Sequence, residues 1–115
     1  MEPPREIGIR ISITRWGILV DPPAPELEPA DILVWTCDHP FAIQFKTHSP
    51  VNEVRHRSGE DRGGVFRSDP LTVRDGAQPG VYPYMVAVAE LDLKTRLVRQ
   101  VHVHGSPDII IRRSG

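Results

Sequence analysis

The chain reads as an all-β protein, an antiparallel Greek-key β-sandwich of roughly seven to nine short strands. Three observations lead there. Apolar and polar residues alternate in several short runs, which is the period of a pleated strand. Turn-forming Gly, Pro and Asp recur about every 8–12 residues between those runs. No apolar stripe at i, i+3, i+4, i+7 is long enough to mark a helix. At 115 residues the chain has room for one core, so residues 1–115 are expected to form a single domain.

Residues 1–5 are expected to be a flexible tail. Ile7, Ile9, Ile11 and Ile13 then alternate with Gly8, Arg10, Ser12 and Thr14, placing four isoleucines on one face of a strand. Residues 16–21 extend or follow it. Pro22, Pro23, Pro25 and Pro29 forbid a helix or a central strand, so residues 21–30 are a stiff connection. Residues 31–36 form a strand with Leu33 and Trp35 on one face and Ile32 and Val34 on the other. After a turn at residues 37–40, Phe41, Ile43 and Phe45 alternate with Ala42, Gln44 and Lys46. Residues 47–64 hold few apolar side chains and read as a long mobile loop. Short strands return near Val65 and Leu71, and the pairs Asp75-Gly76 and Pro79-Gly80 mark turns. Residues 81–91 make a long strand with Tyr82, Tyr84, Val86 and Val88 on one face. The chain turns at residues 92–95, returns over 96–104, breaks at 105–107 and closes with a strand at 108–112.

The totals exclude several functions. Fourteen Lys and Arg against fifteen Asp and Glu give a formal charge of −1. Nucleic-acid binding draws on phosphate neutralisation by a basic excess, and none exists here. No apolar run approaches the roughly 18 residues that span a bilayer. Residues 1–6 lack the basic-then-apolar pattern of a signal peptide, so a cytoplasmic location is expected. The single cysteine, Cys37, can form neither an internal disulfide nor a thiolate metal site alone.

Two stretches carry a resemblance. Asp31-Ile-Leu-Val-Trp-Thr leads into Pro40-Phe-Ala-Ile-Gln-Phe, and Gln78-Pro-Gly-Val-Tyr-Pro-Tyr-Met-Val precedes the closing Pro107-Asp-Ile-Ile-Ile. Over residues 31–112 this pattern resembles the cupredoxin-like fold, an architecture close to the immunoglobulin-like sandwich. The resemblance implies a copper site of two imidazoles and a thiolate at one end of the sandwich. Here Phe41 stands at the first histidine position, with His39 two residues early, and Val86 stands at the cysteine position. Ala89 or Glu90 falls where a following histidine is expected. The chain is thus similar to small bacterial members of the fold that lack the copper ligands, and no cofactor is expected.

Other candidate chemistry has a plainer structural counterpart. His102 and His104, two apart on a strand, share a face and could offer two imidazoles to a metal, with His39, His48 or His56 brought in by the fold. The plainer reading makes them the solvent side of a strand whose Val101 and Val103 point inward. Cys37 beside His39 could be an activated nucleophile, but neighbours in an extended chain point apart, so a half-buried thiol is expected. Arg55, His56, Arg57, Arg62 and Arg67 could clamp an anion or an acidic surface, although Glu53, Glu60 and Asp61 partly neutralise them. Trp35, Phe45, Tyr82 and Tyr84 are expected in the core rather than on a sugar platform.

The strands at 31–36 and 81–91 are apolar on both faces, whereas a sandwich strand normally solvates one. Residues 21–30 or 47–64 are expected to cover the second face; failing that, an apolar patch of several hundred Å² marks a partner site. The expectation is a non-enzymatic interaction subunit or adaptor that binds another protein or itself. Arg55, Arg57, Arg62, Ile32 and Val34 are its candidate contact residues. The alternative is a metal-binding relative using His102 and His104.

Overall fold

The computed structural model describes residues 3–60, 63–105 and 107–112. These hold twelve strands and no helix, arranged as two sheets packed face to face. In chain order the strands are β1 (Glu6–Thr14), β2 (Gly17–Asp21), β3 (Glu26–Leu27), β4 (Ile32–Cys37), β5 (Phe41–Phe45) and β6 (Arg55–Arg57). There follow β7 (Gly59–Glu60), β8 (Phe66–Arg67), β9 (Leu71–Thr72), β10 (Gly80–Leu91), β11 (Val98–His104) and β12 (Asp108–Ile111). The short strands expected near Val65 and Leu71 are β8 and β9, and the number exceeds the expected seven to nine because β3, β6 and β7 add segments of two or three residues each. Segments that short pair only where tertiary contact brings them, so no periodicity announces them. The region expected as a loop at 47–64 carries two of the added strands, β6 and β7.

One sheet runs β2-β1-β4-β8-β7, with β9 also on β4. The other runs β3-β12-β10-β5-β6, with β11 also on β10. The all-antiparallel expectation needs correcting at two places, since β1 pairs in parallel with β4, and β3 with β12. Both pairings follow from the proline segment after β2. It cannot fold back as a hairpin, so it crosses to the second sheet at β3 and returns to lay β4 beside β1 in the same direction.

The core lies where the alternation placed it. Ile9 and Ile11 are fully buried, while Ile7 and Ile13 pack at its margin. Trp35 of β4 and Tyr84 of β10 meet across the sheets with ring centroids 5.6 Å apart and edge-on. The Trp35 indole N–H donates to the Tyr84 hydroxyl at 3.3 Å, so both polar handles are satisfied in the interior. Phe45 completes the cluster at 5.6 Å from Tyr84. The expected tail is anchored at its far end: the Arg5 backbone N–H and guanidinium both donate to the buried Asp31 carboxylate. Residues 1 and 2 lie outside the described residues.

β10 runs antiparallel to a return strand in two pieces. β11 pairs with its second half and β12 with its first, across the break at Gly105 and Pro107. β5 pairs along the opposite edge of β10 and β6 continues beyond β5. The surface of β11, β10, β5 and β6 positions the candidate site.

Candidate functional site

Cross-strand partners share a face of a sheet, so the register states what each strand presents. On β10, Tyr82, Tyr84, Val86 and Val88 point into the core and are buried, while Val81 and Met85 point out and are exposed. Ala87 and Ala89 also point out and are half-buried. On β11 the register pairs His102 with Val88 and His104 with Val86, so the histidines take the inward side. Val101 and Val103 pair with Ala89 and Ala87, point outward, and are 59% and 62% exposed.

This reverses the expected orientation of β11, and the cause is one residue. Leu91 pairs with Val98, but Glu90 pairs with Gln100, which leaves Arg99 as an extra residue in a β-bulge. Carried on from Leu91 and Val98 without the bulge, the pairing would set Val101 opposite Val88 and Val103 opposite Val86, inside. A one-residue slip exchanges the faces of everything beyond it.

The histidines are held apart by different partners. His102 Nε2 sits 2.9 Å from Glu90 Oε1, a carboxylate that Arg99 also approaches at 3.9 Å. His39 Nδ1 accepts the Leu91 backbone N–H at 3.0 Å, closing the end of β10. The His56 ring stands edge-on to Phe45 at 6.3 Å, with Nε2 2.8 Å from the Glu53 carbonyl. His48 is exposed. Among the described residues no three His, Cys, Asp or Glu converge as a metal would require. Cys37 is fully buried rather than half-buried, and desolvation pushes its thiol up from the ordinary range. The four aromatics lie in the core as expected.

The expected contact residues separate into two groups. Val34 is 5% exposed and Ile32 half-buried, so the outer side of β4 presents no apolar patch. Arg55 and Arg57 lie on edge strand β6, opposite Gln44 and Ala42, and therefore face outward on the same surface as Val101 and Val103. Arg62 lies outside the described residues.

Among the described residues, neither the proline segment nor residues 47–60 bury the outward valines Val101 and Val103 of that surface. Of the ten large apolar side chains exposed among the described residues, seven lie on β10, β11 or the turn joining them: Val81, Met85, Leu93, Leu97, Val98, Val101 and Val103. The turn is ordered around Asp92, whose Oδ1 accepts the Lys94 and Thr95 backbone N–H groups at 2.8 and 2.9 Å. It holds Leu93 and Leu97 out in solvent.

Two depressions border this surface. A cleft of about 620 Å³ opens between β6 and β9, with Arg55 and Arg57 on one side, Asp69 on the other and Glu53 nearby. Its charges are of both signs and select no ligand. A shallower trough of about 280 Å³ lies on the outward face of β5, β10 and β11, floored by Ala42, Ala87 and Ala89 and walled by Pro40, Val101 and Arg57. Alanine is depleted in strands because it packs little. Ala42 stands opposite Ala87, and Ala89 follows on the same face, so three short side chains together leave a depression. That grouping was the one sign of the trough in the sequence, visible only once the register was known.

Comparison of the chain with protein-family models finds no match, and comparison with curated protein sequences finds none either. No helix among the described residues is long and apolar enough to cross a membrane.

Proposed function

We propose that this chain is a non-enzymatic interaction module, a small cytoplasmic β-sandwich that acts by binding another protein. The observation that carries the reading is the uncovered apolar face of β10 and β11. Single exposed apolar residues are ordinary, but Met85, Val101 and Val103 are exposed on the outward face of β10 and β11 and Leu93 and Leu97 on the turn that joins them, a grouping that favours a surface another surface covers. The frame we assign is a metal-free, cupredoxin-like sandwich. In its support, Phe41 and Val86, at the two positions where that resemblance implies copper ligands, pack in the core.

The test is co-purification at moderate salt of a tagged copy and of its Val101→Asp, Val103→Asp double variant from the native cells. Both substitutions fall on outward positions, so the melting temperature should hold. A protein retained in stoichiometric amount by the unsubstituted chain and lost from the variant supports the reading. An unsubstituted chain that elutes alone and monomeric overturns it.

A further inference from the structure

Resting on that reading, we infer that the trough on β5, β10 and β11 receives an acidic segment of the partner, one apolar side chain seated between Val101 and Arg57 and carboxylates facing Arg55 and Arg57. Among the described residues the outward face around the trough is one-signed, while Glu53 and Asp69 line the separate cleft on the other side of Arg55 and Arg57. On β5 and β6, on β10 as far as Ala89 and at Val101 and Val103, the outward residues include two cations, Arg55 and Arg57, and no carboxylate. Lys46, next on the same alternation, reaches across to the Gly105 carbonyl. The carboxylate of Asp108 lies opposite Pro83, well along β10 from the trough. Arg10, Arg99 and Arg112 each approach a carboxylate, whereas Arg55 and Arg57 have no ion-pair partner among the described residues. Two exposed guanidiniums held two apart on an edge strand present ten N–H donors to whatever lies alongside.

The trough itself supplies the apolar half. Its walls are the Val101 side chain on β11 and the Arg57 side chain on β6, with β10 and β5 between them; the arginine's methylene stem packs as apolar surface while its head stays in water. An apolar side chain dropped onto Ala42, Ala87 and Ala89 therefore has its flanking residues beside the two guanidiniums. A second copy of this chain fits poorly, because a two-fold contact sets the same patch against itself and brings the arginines of both copies to one interface.

A random twelve-residue peptide library displayed on phage and selected against the immobilised chain tests the idea. The expected consensus has one aliphatic or aromatic residue flanked by Asp or Glu, with binding that weakens as salt rises. By fluorescence polarisation, the selected peptide should lose about tenfold or more in affinity on Arg55→Glu, Arg57→Glu, and similarly on Ala87→Trp, which fills the trough. The arginine variant alters only exposed positions and serves alone if the tryptophan variant does not fold. Enrichment of basic or charge-free peptides, affinity unmoved by either variant, or no enrichment at all overturns the inference. So does self-association of the free chain in light scattering that either variant abolishes. A charge-free consensus that still competes with the co-purified partner would leave the interaction reading standing and remove only its acidic character.

Discussion

Everything proposed for the outward face depends on the bulge at Arg99, and the register is directly testable through Val101→Thr, Val103→Thr. Threonine keeps the shape and the β-branch of valine and adds a hydroxyl. With both positions 59–62% exposed, that hydroxyl is hydrated and little apolar area leaves the interior. The double variant should then lose no more than about 0.5–1 kcal/mol. In the alternative register the two valines would face Val88 and Val86, each fully buried. Burying a valine is worth about 1.5–3 kcal/mol, and a buried hydroxyl without a partner costs about 1–3 kcal/mol. Two such sites put the loss at roughly 4 kcal/mol or more, enough to move the midpoint of a domain this size by well over 10 °C. Urea denaturation gives the free energy, with Val88→Thr as the internal standard for an inward position on the partner strand. A double variant as damaging as two copies of that standard would refute the assigned register and dissolve the trough with it.

Two further predictions concern the core and the N-terminal anchor. Burial, aided by the nearby Asp108 charge and opposed by the Trp35 hydrogen bond, pushes the Tyr84 phenol up to about 12. The unfolded chain ionises near pH 10, so stability present below that pH is lost as pH rises towards 12, by about 2–3 kcal/mol; Tyr84→Phe should remove this slope and, by orphaning the Trp35 N–H, cost about 1–2 kcal/mol at pH 7. At Asp31, desolvation raises the carboxyl pKa, but the hydrogen bonds from Arg5 and from the Glu28 backbone outweigh it and hold the carboxyl below its ordinary value. Its contribution is present above about pH 4 and is lost as pH falls through the lower folded value, so Asp31→Asn should cost about 2 kcal/mol at pH 7 and flatten the acid limb of a stability–pH profile.

How much of this was legible in the sequence depends on the range of the interaction that fixes each feature. The strand of alternating isoleucines, the strands around Trp35 and Phe45 and the long strand through Tyr84 were all readable. Each is specified by its own alternation, and the buried set that alternation names is the buried set found. What escaped was fixed between segments. β3, β6 and β7 exist because β12, β5 and β8 pass beside them, and the parallel pairing of β1 with β4 depends on where the prolines send the chain. Arg55 and Arg57 read as loop residues because three residues of β6 carry no period of their own; pairing with β5 turns them into an ordered, outward pair.

β11 shows the limit most sharply, because there the local pattern points to the wrong face. Val101 and Val103 against Gln100, His102 and His104 invite the valines inward, and hydropathy alone would favour that arrangement. The observed register instead places His102 on the inner side, where its ring reaches the Glu90 carboxylate on the neighbouring strand, and both side chains are only about 15–21% exposed. The alternative would turn His102 to the outer face while Glu90 stayed on the inner one, leaving a partly desolvated carboxylate without its hydrogen bond. The Asp92 turn adds to the choice, since its backbone bonds fix where the return strand begins. A strand that gives up the burial of two valines to keep a hydrogen-bonded pair inside exposes those valines as a consequence. On the face where that happens, the neighbouring strands supply alanines rather than polar cover, so the exposure becomes a shaped surface.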